Sequence, residues 1–308
     1  MTDTYTCELI QMEPLPGATA VNFQLEGDWV AGALGGSLHV WKGTTLVNSV
    51  NTSISLAGYP VIGGSRVYWS NGWLDLKSGQ FKTVVDLKAI LMNGTGMSIM
   101  PPGHAYRPVV TAWSEDGSAF IICGSQSAYP NLPGTRILMM APDGQVNRIL
   151  YEGNEIAPNA IYFGRKFIAA GMRGLRVFDL AGNPMCEMGE GPPALRLACS
   201  ANADRLIAVE GGKITLWETK TWDALAIYEG LWTDADLSAD GGTIMAIGFG
   251  GRLFCIDTDT EGSPVLEMDV GAAMQSVTLN REFVVGTFLS GAAVRKGKWK
   301  KTGLIPTS

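Results

Sequence analysis

Three features of the 308-residue chain predict an all-β fold of seven four-stranded antiparallel units, packed radially as the blades of a β-propeller. A third-strand motif recurs at near-constant spacing. A turn motif recurs in the same register, independently of the first. Helical periodicity is almost absent, while apolar runs of 4 to 7 residues alternate with turns.

The strand motif is clearest in Leu175-Arg176-Val177-Phe178-Asp179, Ile214-Thr215-Leu216-Trp217-Glu218, Leu253-Phe254-Cys255-Ile256-Asp257 and Ala292-Ala293-Val294-Arg295. Its markers Phe178, Trp217, Ile256 and Arg295 are 39, 39 and 39 residues apart. Upstream markers are Met140, Leu76 and Trp41, with intervals of 38, 64 and 35. Seven copies result, with extra chain between the second and third.

The turn motif precedes the second strand of each copy. Glu26-Gly27-Asp28, Gly63-Gly64-Ser65, Glu115-Asp116-Gly117-Ser118, Gly164-Arg165, Asn202-Ala203-Asp204, Asp240-Gly241-Gly242 and Asn280-Arg281-Glu282 all stand just before an apolar run. Gly, Asn and Asp suit such hairpins because they tolerate positive φ.

Within the sixth copy the strands are expected at Asp234 to Leu237, Thr243 to Gly248, Arg252 to Asp257 and Val265 to Val270. One such unit cannot bury both faces alone, whereas neighbouring units cover one another. The one helical period, Asp86 to Met92, is under two turns and too short to stand alone. Residues 4–12 precede Pro14-Leu15-Pro16-Gly17 much as Met185-Cys186-Glu187-Met188 precedes Gly189-Glu190-Gly191. The N-terminal segment is therefore expected to supply the outer strand of the last blade, with Trp299 to Ile305 as the competitor.

Composition agrees with a turn-rich sheet protein. Charged residues are 17%, against about 25% in an average domain, and glycine is 39 of 308. With 46% apolar residues, disorder, collagen and coiled coil are excluded. The formal charge of −6 and pI near 5.0 argue against a nucleic-acid partner, whose affinity rests on neutralising phosphate. No run of 18 apolar residues spans a bilayer, and Met1-Thr2-Asp3-Thr4-Tyr5 lacks the basic and apolar regions of a secretory signal. Five scattered cysteines without CxxC fit free thiols in a reducing compartment better than zinc or disulfides.

Here the chain resembles the WD40-like superfamily of seven-bladed propellers, as a degenerate member, over roughly residues 4 to 301. Trp217-Glu218, Phe178-Asp179 and Ile256-Asp257 stand where that family has Trp-Asp, and the family's Gly-His pair is missing. The resemblance implies a fold that hosts scaffolds, lactonases, other hydrolases and redox enzymes alike.

Signatures of chemistry are few. His39, between Leu38 and Val40, is expected on the opposite strand face, half-buried and satisfied by a neighbour. His104 follows Pro101-Pro102-Gly103 and is expected in solvent. There is no HExxH, GxSxG or P-loop, and the glycine pairs lack a following helix. Aligning the first strands on Leu25, Ile62, Trp113, Phe163, Cys199, Leu237 and Leu279 leaves Asp234 and Asp236 as the carboxylates facing the channel. A metal at the channel mouth, serving a lactonase or hydrolase, is the alternative reading for this pair; Ca²⁺ wants six or more oxygens. A structural pairing of Asp234 with Arg196 competes with it. The basic run Arg295 to Lys301 is expected as a solvated edge. Asn51-Thr52-Ser53 and Asn93-Gly94-Thr95 match the glycosylation sequon but have no secretory context.

The extra chain near blades two and three is the strongest pointer to function. Insertions at about 87–104 and 125–134 lie in connections that open on one face of a propeller. They carry Met97, Met100, Tyr106 and Tyr129, with Trp73 in an adjacent turn. Tyr, Trp and Met are enriched at interfaces, and long loops are often functional. A loop folding over its own apolar residues is the competing account. The expectation is one propeller domain over 1–308, without cofactor or membrane partner, acting as a non-enzymatic protein-binding module. It would be cytoplasmic or built into a particle from a cytoplasmic pool, for example as a structural component of a phage virion.

Overall fold

The computed structural model describes residues 4–16, 20, 22–34, 36–52, 58–84, 107–126, 134–210, 212–259, 265–280, 282–289 and 294–305. The chain opens with β1 (Thr4–Pro14). Blade one is β2 (Asn22–Glu26), β3 (Trp29–Leu34), β4 (Ser37–Lys42) and β5 (Thr45–Asn51). Blade two is β6 (Val61–Gly63), β7 (Arg66–Trp69), β8 (Gly72–Asp75) and β9 (Phe81–Thr83). Blade three is β10 (Arg107–Trp113), β11 (Phe120–Gln126), β12 (Gly134–Met140) and β13 (Val146–Gly153). Blade four is β14 (Ile161–Phe163), β15 (Ile168–Met172), β16 (Gly174–Phe178) and β17 (Pro184–Met188). Blade five is β18 (Arg196–Cys199), β19 (Arg205–Glu210), β20 (Lys213–Glu218) and β21 (Ala224–Glu229). Blade six is β22 (Trp232–Leu237), β23 (Thr243–Gly248), β24 (Leu253–Asp257) and β25 (Val265–Met268), with a 3₁₀ turn at Phe249–Gly251. Blade seven is β26 (Met274–Leu279), β27 (Phe283–Phe288) and β28 (Val294–Ile305), completed by β1.

The N-terminal strand is therefore the outer strand of the last blade, as expected. It pairs antiparallel with β28 from Thr4↔Ile305 to Pro14↔Arg295. Trp299 lies in the third strand opposite Leu9, so the competing C-terminal closure is excluded.

The repeat markers hold in blades three to six, where Met140, Phe178, Trp217 and Ile256 face Phe120, Ile168, Leu206 and Ile244. In blade two the equivalent is Leu74, opposite Val67, and in blade seven it is Gly297, opposite Val284. The expected Leu76 and Arg295 each miss by two. Turn length is the reason: residues 70 and 71 alone join β7 to β8, while 289–293 join β27 to β28.

Turn chemistry repeats at the first hairpin. In blades three, five and six a serine hydroxyl donates to an Asx side chain two residues on: Ser114 to Asp116 (2.8 Å), Ser200 to Asn202 (2.8 Å) and Ser238 to Asp240 (2.6 Å). The next residue has positive φ, being Gly117 (67°), Ala203 (56°) and Gly241 (77°). A side chain at Gly117 would also enter the Tyr68 ring.

The chain divides into two compact units, Met1–Val30 with Val40–Val47 and Ala198–Ser308, and Ala31–His39 with Asn48–Leu197. In each, the core lies between successive blades. In the second unit, Ile121, Cys123 and Ile137 of blade three pack with Ile161, Ile168 and Phe178 of blade four. Tyr68 stacks on Trp113, which stacks on Phe120, at 5.4 and 4.5 Å between ring centroids. In the first unit, Ile207 and Leu216 meet Ala235 and Ile244, while Met245 and Cys255 meet Val277 and Val284. Middle strands covered on both faces are buried throughout, as in β15 and β23, and read as unbroken apolar runs. Outer strands β5 and β21 alternate instead, because one face meets solvent.

Candidate functional site

Asp234 and Asp236 lie on β22, the inner strand of blade six, and both are buried. A register shift between Trp232 and Asp234 marks a bulge there, and the inner strands of blades three and seven shift at the aligned residues Val110 and Ser276. Bulges re-aim side chains. Here the carboxylates meet the neighbouring inner strand. Asp234 Oδ2 accepts from Val277 N at 2.8 Å and Oδ1 from Ala235 N at 3.0 Å. Asp236 Oδ2 accepts from Leu279 N at 3.0 Å and Oδ1 from Leu237 N at 2.9 Å.

This arrangement has a plain physical cause. Inner strands are sheet edges, and their outward N–H groups find no partner within their own blade. Each aspartate supplies an acceptor across the blade boundary. The aligned residue of blade seven, Thr278, reverses the polarity and donates to Phe23 O at 3.4 Å. All four carboxylate oxygens thus accept from the backbone, which accounts for the burial of two acids. Among the described residues, no three His, Cys, Asp or Glu side chains gather as a metal site requires.

Arg196 is buried, its guanidinium 4.6 Å from the centre of the Tyr59 ring. His39 lies between the fully buried Leu38 and Val40, half-buried, with Ser49 Oγ 3.0 Å from its Nδ1. Burial lowers its pKa below the ordinary histidine value. His104 lies outside the described residues.

The basic C-terminal run is not an edge. It forms the third strand of blade seven, covered by β1. Lys296 is 5% exposed, with Nζ 2.6 Å from Asp28 Oδ1 and 4.2 Å from the centre of the Phe283 ring. Lys298 and Lys300 remain in solvent. These three lysines share one parity of the strand, so position along it and not alternation separates the buried Lys296 from the exposed pair.

Of the candidate interface residues, Trp73 is described. It sits on β8, half-buried against the cluster of Tyr68, Trp113 and Phe120. The Arg66 guanidinium lies 3.9 Å from its ring centre, and Lys82 Nζ lies 5.8 Å away. Trp73 is thus both a packing residue and a cation-stacked one. Met97, Met100, Tyr106 and Tyr129 lie outside the described residues, as do most of the two insertions and the short helical period.

No family model and no curated protein matches the sequence. Among solved structures, the β-propeller domain of Cps50 (Swd1) from Myceliophteria thermophila is similar over 96% of this chain and 100% of that one, with a TM-score of 0.65 at 9% identity. The fold is a seven-bladed β-propeller. At this identity the propeller likeness speaks for architecture alone. No helix among the described residues is long and apolar enough to cross a membrane.

Proposed function

We propose that this propeller is a non-enzymatic protein-binding or assembly module, whose partner sits on the rim of blades two and three. Propellers of this type are commonly scaffolds for protein–protein interaction. The observation that carries the reading is where chain has been added. Residues 84–106 separate β9 from β10 and 127–133 separate β11 from β12, whereas residues 230 and 231 alone separate β21 from β22 and Arg173 alone separates β15 from β16. Ordering extra backbone costs about 1–2 kcal/mol per residue, which a favourable contact must offset.

Trp73, Met97, Met100, Tyr106 and Tyr129 are the proposed anchors, each burying apolar surface against a protein. The chain acts in one domain from a cytoplasmic pool, and assembly into a larger particle, such as a phage virion, is its most concrete form. Neither nucleic acid nor membrane is a partner, in keeping with the acidic charge balance.

The test is Trp73→Ala combined with Tyr129→Ala, measured for folding and for recovery of partners from native lysate. A folded double variant that loses a partner held by the wild type supports the reading. Recovery of the same partners at the same yield places the interface elsewhere. Since Trp73 packs on its own core, Tyr129→Ala alone serves as the second variant if the pair unfolds.

A further inference from the structure

We infer that the first compact unit carries a separate docking surface, on the rim of blade six around Phe249, for a protein segment that is apolar and flanked by lysine or arginine. Phe249, Leu231 and Leu289 are 78%, 62% and 57% exposed, three of the four most exposed large apolar residues among those described. They are not scattered. Trp232 pairs with Gly248 at the end of the β22–β23 ladder, so Leu231 and Phe249 flank that pair as neighbours. The 3₁₀ turn then abuts the start of blade seven, since a Cβ on Gly251 would lie 2.7 Å from Ala273 Cβ. Leu289 N donates to Ala273 O at 2.8 Å, which brings the third apolar side chain to the same margin.

The turn holds Phe249 outward by its backbone. Gly250 and Gly251 both have positive φ, at 78° and 77°, conformations that L side chains rarely adopt. A rigidly presented aromatic loses little entropy on binding, and aromatic residues dominate interface hot spots. Packing gives no reason for its exposure, because Ile247 and Leu253 on either side of the turn are fully buried.

Charge around the patch selects the occupant. Lys213 is bound to Glu210 at 3.1 Å and Arg252 to Glu267 at 3.3 Å, and the Arg295 guanidinium lies 4.7 Å from the centre of the Phe288 ring beside Leu289. Glu229, which ends β21, and Asp269, which follows β25, add two exposed carboxylates. An apolar centre with an acidic border complements an apolar segment with basic ends, and repels acidic ones. This surface stands independently of the reading for blades two and three.

The test uses two fluorescein-labelled peptides with the same Leu-Leu-Phe-Leu core, one flanked on each side by two lysines and the other by two glutamates. Fluorescence anisotropy against the full chain is expected to show the lysine peptide binding at least about tenfold more tightly, with affinity falling as salt rises. Phe249→Ser is expected to weaken it about tenfold with an unchanged melting temperature, and Glu229→Gln with Asp269→Asn to weaken it and flatten the salt dependence. Equal binding of both peptides, no binding of either, or full binding by Phe249→Ser overturns the inference. A concentration-dependent dimer of the free chain that Phe249→Ser abolishes also overturns it, by assigning the patch to a second copy.

Discussion

Replacing Asp236 with alanine removes the acceptor of two buried backbone donors, Leu237 N at 2.9 Å and Leu279 N at 3.0 Å. Hydrogen bonds to a charged group contribute about 1.5–3 kcal/mol each, so the gross loss is about 3–6 kcal/mol. Part is returned, because the variant no longer buries a carboxylate at a cost of several kcal/mol. Against that, the Leu279 N–H is left unpartnered at the boundary between two blades. The expected net loss is about 3 kcal/mol, or on the order of 6 °C in melting temperature for a chain of this size. Urea unfolding at constant m-value reads it directly. Chelator or added Ca²⁺ is expected to leave the wild-type midpoint unchanged, because the oxygens are held by amides. Refutation would come from an Asp236→Ala chain within about 0.5 kcal/mol of wild type, or from a wild-type midpoint that rises with Ca²⁺.

Ala203 occupies a left-handed turn position that glycine fills in blades three and six, so Ala203→Gly is expected to raise stability by about 0.5–1 kcal/mol in urea unfolding. Deleting residues 1–14 strips β28 of its ladder and uncovers the cluster that Cys7, Leu9 and Met12 pack against; a marked fall in melting temperature is expected, and an unchanged one would count against the N-terminal closure. Burial holds the His39 pKa below its unfolded value of about 6.5, so the unfolded chain binds more protons beneath that pH. Its contribution is present at neutral pH and is lost as pH falls through 6.5 toward the folded value, and His39→Gln is expected to remove that part of the acid slope.

Repetition made the fold readable from sequence, because every blade meets the same demands. Middle strands need apolar residues on both faces, and first hairpins in five blades take a left-handed residue, glycine at Gly27, Gly64, Gly117 and Gly241 and alanine at Ala203. The blade-six strands accordingly fall within two residues of their expected bounds. Where one blade changed its turn length, as at Leu74 and Gly297, counting at a fixed period failed and only hydrogen-bond register located the equivalent residue.

The carboxylate pair was identifiable by alignment, but its role was not, since the decisive donors, Val277 N and Leu279 N, are backbone atoms about 40 residues away. Lys296 was hidden for a related reason: its partner Asp28 is 268 positions distant and meets it only once β28 and the first blade are in place. Phe249 reads in sequence as an ordinary apolar residue before a Gly-Gly turn. Its exposure depends on the turn leaving the sheet at Gly248, which no periodicity encodes.

The protein-binding reading is tested most directly by a photo-activatable crosslinker placed at Tyr129, with the same group at Ser49 on the outer strand of blade one as the control. After irradiation in native lysate, the account predicts a discrete protein adduct from position 129 and none from position 49. Matching adducts from both positions, or none from position 129 while the folded chain still recovers its partners, would contradict it.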